Sequence, residues 1–395
     1  MTPAARIQTA IEILDLVAVA ARQGGAPADS IFAEAMRARR YAGSKDRRAI
    51  RNLVYAAIRA VRTVPDSGRA AMVALADGDA ELAALFTGAP YAPAPIAADE
   101  PRAPLGLASA ALIALFDPLI EADEHGAMLA RAPLDLRANR TRIDRGALAD
   151  LLGAGDPIAG TADGLRLPPE FAAVQTDAFA DGLFEVQDAA SQMAAAVLGA
   201  ADGMTIVDLC AGAGGKTLAL AAAAPDARII ACDVNRARLQ QLGPRAERAG
   251  AANIETRLLN PGQEAAMLTD LISGADAVIV DAPCSGSGTW RRSPELRWRI
   301  TPQRLARHRA EQAALLVLGA ALIRPGGRLV YATCSVLAGE GRDQISGFRM
   351  AQSGRWPPVS AALPPGIGRA AGDGMLLTPH HDGTDGFYLA CLENA

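Results

Sequence analysis

The spacing of apolar positions changes twice along the chain. From Thr2 to about Ala60 they recur every three or four residues, at Ile7, Ile11, Leu14 and Val17 and again at Ile50, Leu53, Val54, Ala57, Ile58 and Val61. That period predicts amphipathic helices: one ended by Gly24 and Gly25, a second over Ser30 to Arg40, and a third with Ser44 as N-cap and Asp46 in its first turn. Residues 66–128 keep a helical, Ala-rich texture, broken by a Pro-rich stretch at 89–104 that reads as a loop or linker. From Pro133 the alternation becomes two-fold at Leu134, Leu136 and Ala138; with short runs at Gly164 to Leu167 and Ala180 to Val186 it predicts a small α+β module. Beyond Ser191, strand-length apolar runs alternate with helical ones. The predicted strands are Thr205 to Cys210, Arg228 to Asp233, Ile254 to Leu259, Ala277 to Val280 and Arg328 to Thr333, with a long helix from Pro302 to Ile323 and a closing hairpin at Met375 to Leu377 and Phe387 to Cys391. Such alternation predicts an α/β, doubly wound parallel sheet.

A chain of 395 residues is long for one core. The changes of texture place domains at 1–128, 129–182 and 183–395. No apolar run approaches the roughly 20 residues needed to span a bilayer, and Met1 to Arg22 lacks a basic start and a small-residue cleavage site, so the expectation is a cytoplasmic protein with no membrane partner. The net charge of −4 gives no overall pull toward a polyanion. Local patches differ. Arg37, Arg39, Arg40, Lys45, Arg47, Arg48 and Arg51 cluster beside Tyr41 and Tyr55, interrupted by Asp46 alone, and Arg137, Arg140 and Arg142 form a second cluster. A run of charge is commonly a solvated face, but one so single-signed on an acidic chain has the character of a phosphate-backbone footprint. Lysine occurs only at Lys45 and Lys216, positions where a compact ammonium has not been exchanged for a guanidinium.

The five cysteines include no C-x-x-C pair, and histidines do not cluster. That disfavours a disulfide framework and a metal site and suggests a reducing compartment. Cys210, Cys284 and Cys334 each end a strand-like run, and parallel strands gather such ends at one edge of a sheet. After the first of these strands, Gly212, Gly214 and Gly215 remove side chains where a ligand meets backbone, and Asp233, about twenty residues on, suits the two hydroxyls of a ribose. A dinucleotide and S-adenosylmethionine both fit that turn. A P-loop fits poorly, because Cys210 stands where its first glycine is required. In the loop after Asp281, Pro283 ends the ladder, Gly286 and Gly288 allow close approach to a ligand, and the chain turns basic and aromatic at Trp290, Arg291, Arg292, Arg297 and Trp298. Those side chains suit stacking on bases and holding phosphates; for Trp298, packing of the loop is an equal reading. His380-His381 reads as a solvated turn.

Four segments, Asp208-Leu-Cys-Ala-Gly-Ala-Gly-Gly-Lys-Thr217, Asp281-Ala-Pro-Cys-Ser-Gly-Ser-Gly288, Arg291-Arg-Ser-Pro-Glu-Leu-Arg-Trp298 and Tyr331-Ala-Thr-Cys-Ser335, resemble the successive signatures of the Sun/Fmu-type (RsmB/NOP-like) RNA cytosine-5 methyltransferases. Phe184 to Gln192 and Asp385 to Tyr388 match as well, so the resemblance covers about residues 131–395. The N-terminal helices resemble, less specifically, a NusB-like RNA-binding domain. The resemblance implies a class I methyltransferase, Rossmann-like sheet preceded by that helical domain and a small α+β linker module. It implies S-adenosylmethionine as cofactor, RNA, ribosomal RNA first, as partner, and a monomer without metal. By the family pattern Cys334 attacks C6 of a cytosine and Cys284 assists release, with Asp281 and Lys216 at the same centre. The cofactor would lie against Cys210, Ala211, Gly212, Ala213, Gly214, Gly215 and Lys216, with Asp233 on the ribose, Asn260 near the adenine and Asp281 near the methionine end. RNA would meet Arg39, Arg40, Lys45, Arg47, Arg48, Arg51, Arg137, Arg140, Arg291, Arg292 and Arg297. Departures from the pattern are Gly212-Ala213 for Ala-Pro, Asn260 for an Asp, and Gly339-Glu340-Gly341, which keeps one acid of an acid-acid-Asn run. The rival readings are a DNA cytosine methyltransferase in which Cys284 attacks, and a non-catalytic RNA-binding assembly factor.

Overall fold

A computed structural model describes residues 1–395, which divide into two units. The division differs from the sequence boundaries at 128 and 182: one unit takes Met1–Leu115 together with Thr289–Pro302, the other Phe116–Gly288 with Gln303–Ala395. No helix is long and apolar enough to cross a membrane.

The first unit is helical, with α1 (Pro3–Gln23), α2 (Ala28–Ala38), α3 (Ser44–Ala60) and α4 (Gly68–Ala76). Thr2 caps α1 by accepting from the Ala5 amide, and Gly24 ends it in the left-handed region at φ 73°. The N-cap of α3 is Gly43 rather than Ser44, and no side chain caps it. The predicted stripes meet in the core: Ile7, Ile11, Leu14 and Val17 pack with Ile50, Val54, Ile58 and Met72. Gly68 admits α4 to α1, since a Cβ there would lie 2.1 Å from the Ile11 carbonyl oxygen.

The segment Pro294–Arg299, a short 3₁₀ helix, completes this core. The Arg297 guanidinium donates to the carbonyls of Ile58 (2.6 Å), Arg59 (2.9 Å) and Val61 (2.7 Å), and the Trp298 indole N–H donates to Val61 (3.1 Å). These oxygens belong to the end of α3, where helical carbonyls lack intrahelical donors and the dipole favours a cation. Arg299 likewise binds the carbonyls of Gly25 (2.8 Å) and Ala26 (2.6 Å) beyond α1. Burial pushes Arg297 down to about 9. The expectation that Arg291 and Arg297 meet RNA is therefore corrected: they are 5% and 4% exposed, and Arg297 is spent on main chain. Trp290 and Trp298 are buried as well, so packing is the reading that holds for Trp298; Arg292 is half-buried.

In the second unit a four-stranded antiparallel sheet, in the order β2-β3-β1-β4, is built from β1 (Leu134–Ala138), β2 (Asp156–Pro157), β3 (Gly164–Leu167) and β4 (Phe184–Val186). Of the expected run Ala180 to Val186, Ala180 ends the short helix Asp177–Ala180 and only Phe184–Val186 is strand. Arg137 on β1 is a second correction: it is buried, its Nε donates to Gln187 Oε1 at 2.7 Å, and burial pushes it down to about 10, so it offers no face to a phosphate. Arg140 is exposed and paired with Asp163 at 2.7 Å.

The larger sheet contains β5 (Thr205–Asp208), β6 (Arg228–Asp233), β7 (Ile254–Leu258), β8 (Ala275–Asp281), β9 (Ile323–Thr333), β10 (Pro358–Val359), β11 (Arg369–Ala371), β12 (Gly374–Leu377) and β13 (Phe387–Glu393). Its order is β11-β12-β13-β9-β8-β5-β6-β7, with β10 on β13. The five strands from β9 to β7 are parallel, and β13 joins β9 antiparallel. Strand order reverses at β5, which has β6 on one side and β8 on the other, so a crevice opens beyond their carboxyl ends. The strand β9 begins five residues earlier than expected, directly after the helix Pro302–Leu322, with a register shift opposite Ala275 and Ala277.

Because Arg297 satisfies three carbonyls at one helix end, Arg297→Ala in the full chain should lower stability by about 3 kcal/mol. Urea unfolding checks this, with a loss under about 1 kcal/mol the contrary result.

Candidate active site

Parallel pairing of β8 with β9 sets the site. Asp281 lies opposite Ala332, and the Ala282 amide still bonds the Ala332 carbonyl at 2.9 Å. Cys284 follows three residues beyond Asp281 and Cys334 two beyond Ala332, so both loops leave the sheet at one level. Their sulfurs are 3.4 Å apart. The Gly288 amide then bonds the Cys334 carbonyl (3.0 Å), and Gly386 donates to the Gly288 carbonyl (2.8 Å). A Cβ on Gly288 would sit 1.8 Å from the Gly386 oxygen, so that glycine, expected to admit a ligand, admits another strand of backbone. The hydrogen bond to Cys334, then burial and the charge of Glu340, push the Cys284 thiol well above the ordinary range.

Asp281 is held from the other side. The Gly-rich turn after β5 enters the helix Gly215–Ala223 through Gly214, whose φ is 85° and whose Cβ would strike Leu242. That turn delivers Lys216, buried, with Nζ 2.7 Å from Asp281 Oδ2 and 5.1 Å from the Phe387 ring centre. At the end of β6, Asp233 accepts from the amides of Gly212 (2.7 Å) and Asn235 (2.6 Å), so two backbone donors fix its carboxylate. The expected acids and thiols converge on one cavity of about 1060 Å³, lined by Cys210, Asp233, Asp281, Cys284 and Cys334, whereas Ala211 to Lys216, expected against the cofactor, are not in its lining. Burial pushes the Cys210 thiol well up.

Other expected residues take different places. Asn260 is exposed, its side chain bonding Gln263 at 3.3 Å, and its neighbours Leu259 and Pro261 line the cavity instead. Ala211 to Gly215 supply the turn, where Ala213 gives its carbonyl to Arg245 at 2.5 Å. In the helical unit, Arg39 pairs with Glu12 (2.6 Å), Arg51 with Asp29 (2.7 Å), and Arg47 donates to the Ala42 carbonyl (2.8 Å), while Arg40, Lys45 and Arg48 are exposed and unpaired. Two participants escaped sequence reasoning. Glu340 registers in the sequence only as an acid between glycines, yet it lies buried behind both thiols, its carboxylate bonded to Ser285 and Ser335. Asp208, at the end of β5, accepts from the Thr217 hydroxyl at 2.7 Å; its period-two position on a strand marks it as buried but not as unusual.

The parallel strands with β13 added antiparallel, and this cavity at the switch point, define a class I methyltransferase fold. A family model described as 16S rRNA methyltransferase RsmB/F matches residues 195–393, and the chain belongs to that family. Among curated proteins it is 38% identical over 273 residues to "Probable ribosomal RNA small subunit methyltransferase B" of Synechocystis sp., covering 66% of this chain and 60% of that protein. It is 35% identical over 266 residues, with the same coverage, to the ribosomal RNA small subunit methyltransferase B of Erwinia tasmaniensis. The chain thus spans 60% of the length of these relatives. Among solved structures, PH0851 superposes over 100% of this chain and 99% of its own, with a TM-score of 0.77 at 22% identity. NSun6 from Pyrococcus horikoshii with SFG gives a TM-score of 0.61 at 19% identity over 68% of this chain and 92% of its own. These two likenesses concern the fold.

Burial pushes Asp208 up to about 7, and its Oδ1 is buried without a hydrogen bond. A carboxyl raised in the folded state contributes stability that is present below its unfolded value near 4 and lost as pH rises through about 7. Asp208→Asn, which can still accept from Thr217, should therefore gain roughly 2–4 kcal/mol over the native chain at pH 8 and lose that advantage below pH 4. Denaturation midpoints across that range test it; a gap independent of pH is the contrary outcome.

Proposed function

We propose that this chain transfers a methyl group from S-adenosylmethionine to C5 of a cytidine in RNA, with ribosomal RNA, which the family description and the curated relatives' names specify, as the substrate class. The observation that carries the reading is the pair of thiols, 3.4 Å apart, on the rim of a cavity that also holds Asp233 and Asp281. The cavity fits the cofactor in kind: a carboxylate oriented by two amides suits a ribose, the apolar side chains of Leu259 and Ile272 suit an adenine, and Asp281 ends the strand that runs on into the Cys284 loop. When bound there, S-adenosylmethionine supplies an electrophilic methyl group.

The protein's own part is nucleophilic catalysis. C5 of cytosine is a weak nucleophile. Addition of the Cys334 thiolate to C6 forms a C–S bond and moves the ring's electrons toward C5 and N3. Asp281, as the carboxylate paired with Lys216, accepts from the N4 amino group, and the ammonium behind it offsets the charge gathering on N3. Once C5 is methylated, loss of its proton restores the double bond and expels the Cys334 sulfur. Cys284, held protonated beside that sulfur, gives it a proton and as thiolate takes the one leaving C5, so the proton count closes.

Cys284→Ala should accumulate an RNA-linked protein band that survives denaturing electrophoresis, and Cys334→Ala should give none; the reverse pattern overturns the assignment. We assign phosphate contact to the helical unit's free cations. Reversing charge at Arg40, Lys45 and Arg48 should weaken RNA binding and lower the slope of log affinity against log salt by about 1 per residue, with cofactor affinity unchanged. Unaltered RNA titrations would return those three side chains to solvent.

A further inference from the structure

Glu340 is fully buried, and every partner of its carboxylate is neutral. The Ser285 amide donates at 2.9 Å and its hydroxyl at 2.5 Å, the Ser335 hydroxyl donates at 2.7 Å, and the Gln312 amide reaches it at 3.4 Å. Ser285 adjoins Cys284, and Ser335 adjoins Cys334. No cation lies within ion-pair distance. A carboxylate without a counter-ion is costly to bury, and the strong hydrogen bonds it accepts are its compensation. Its own backbone is fixed to β9, because the Tyr331 hydroxyl donates to the Glu340 carbonyl at 2.8 Å. The Ser335 hydroxyl, in turn, lies 2.9 Å from that of Ser287, which accepts from the Val336 amide at 2.9 Å. The two cysteine loops therefore share a single buried anchor. Gln312, from the helix Pro302–Leu322, also donates to the Pro283 carbonyl at 2.9 Å, just before Cys284.

We propose that Glu340 is the positioning residue that sets the approach of Cys284 to Cys334, by holding Ser285 and Ser335 on one carboxylate. This rests on the two-thiol reading above for its catalytic meaning. Capture of the base needs Cys334 alone; release needs the second sulfur within reach. Removal of the anchor separates these steps: capture persists and release fails. A residue that merely held the fold would lose both.

The test has two arms. In the first, Glu340→Ala is expected to behave like Cys284→Ala, accumulating the RNA-linked band while turnover falls about tenfold or more and cofactor affinity stays within about twofold. In the second, without RNA or cofactor, diamide takes two electrons and two protons from the thiol pair, and the rate of Cys284–Cys334 disulfide closure reports their approach. Closure should slow about tenfold in Glu340→Ala and recover in part in Glu340→Gln, which keeps one acceptor and one donor. If Glu340→Ala does not fold, Ser285→Ala and Ser335→Ala each remove one link and should each slow closure. Closure at the native rate in the folded variants overturns the proposal. Absence of methyl transfer by the native chain overturns the functional reading, while slowed closure would still uphold the positioning role.

Discussion

The register of β8 against β9 is the constraint on which the site depends. Two neighbouring parallel strands end at the same height, and each continues into a loop that carries a cysteine within three residues. Parallel pairing alone brings the loops together only to the spacing of adjacent strands, near 5 Å. The remaining closeness comes from bonds between the loops themselves: Gly288 to Cys334, Gly386 to Gly288, and both serines to Glu340. Displacing one strand by a single residue would turn every one of its side chains to the other face and separate the pair.

Charge around this junction is arranged by burial as much as by pairing. Lys216 and Asp281 form a close ion pair at the cavity wall, whereas Glu340 and Asp208 sit among neutral donors. The Cys284 thiol is raised by its hydrogen bond to Cys334 and by burial, and the buried Glu340 carboxylate adds to both. The outcome is a pair of thiols in contact, backed by one buried carboxylate that both loops share.

Much of this was legible in the sequence. Period-two and period-3.6 patterns located the parallel strands and the first helices, because those elements bury one face or both. Cys284, Cys334, Asp233, Asp281 and Lys216 were recognisable because each ends a strand or follows a glycine turn. Glu340 was not legible: it follows its strand at no diagnostic interval, and its importance arises from hydroxyls contributed by two distant loops. Arg291, Arg297 and Arg137 were misread for a related reason. Arginine looks the same in sequence whether it faces a phosphate or a set of main-chain carbonyls, and only the fold shows that Arg297 lies over the end of α3. Asn260 illustrates a smaller error, since the wall of the cavity is made by the residues on either side of it.

The placement of Thr289–Pro302 with the helical unit bears on how the molecule is made. On the ribosome, Met1–Leu115 emerges ahead of Thr289–Pro302, so the plug that closes its core, with Trp298 and the Arg297 cap, is synthesised only after β5 to β8. Until then three carbonyls at the end of α3 and an apolar recess are without their partners. Maturation of these helices thus waits on translation of the larger sheet's parallel strands, and a fragment cut at Leu115 would carry that unfinished core with it.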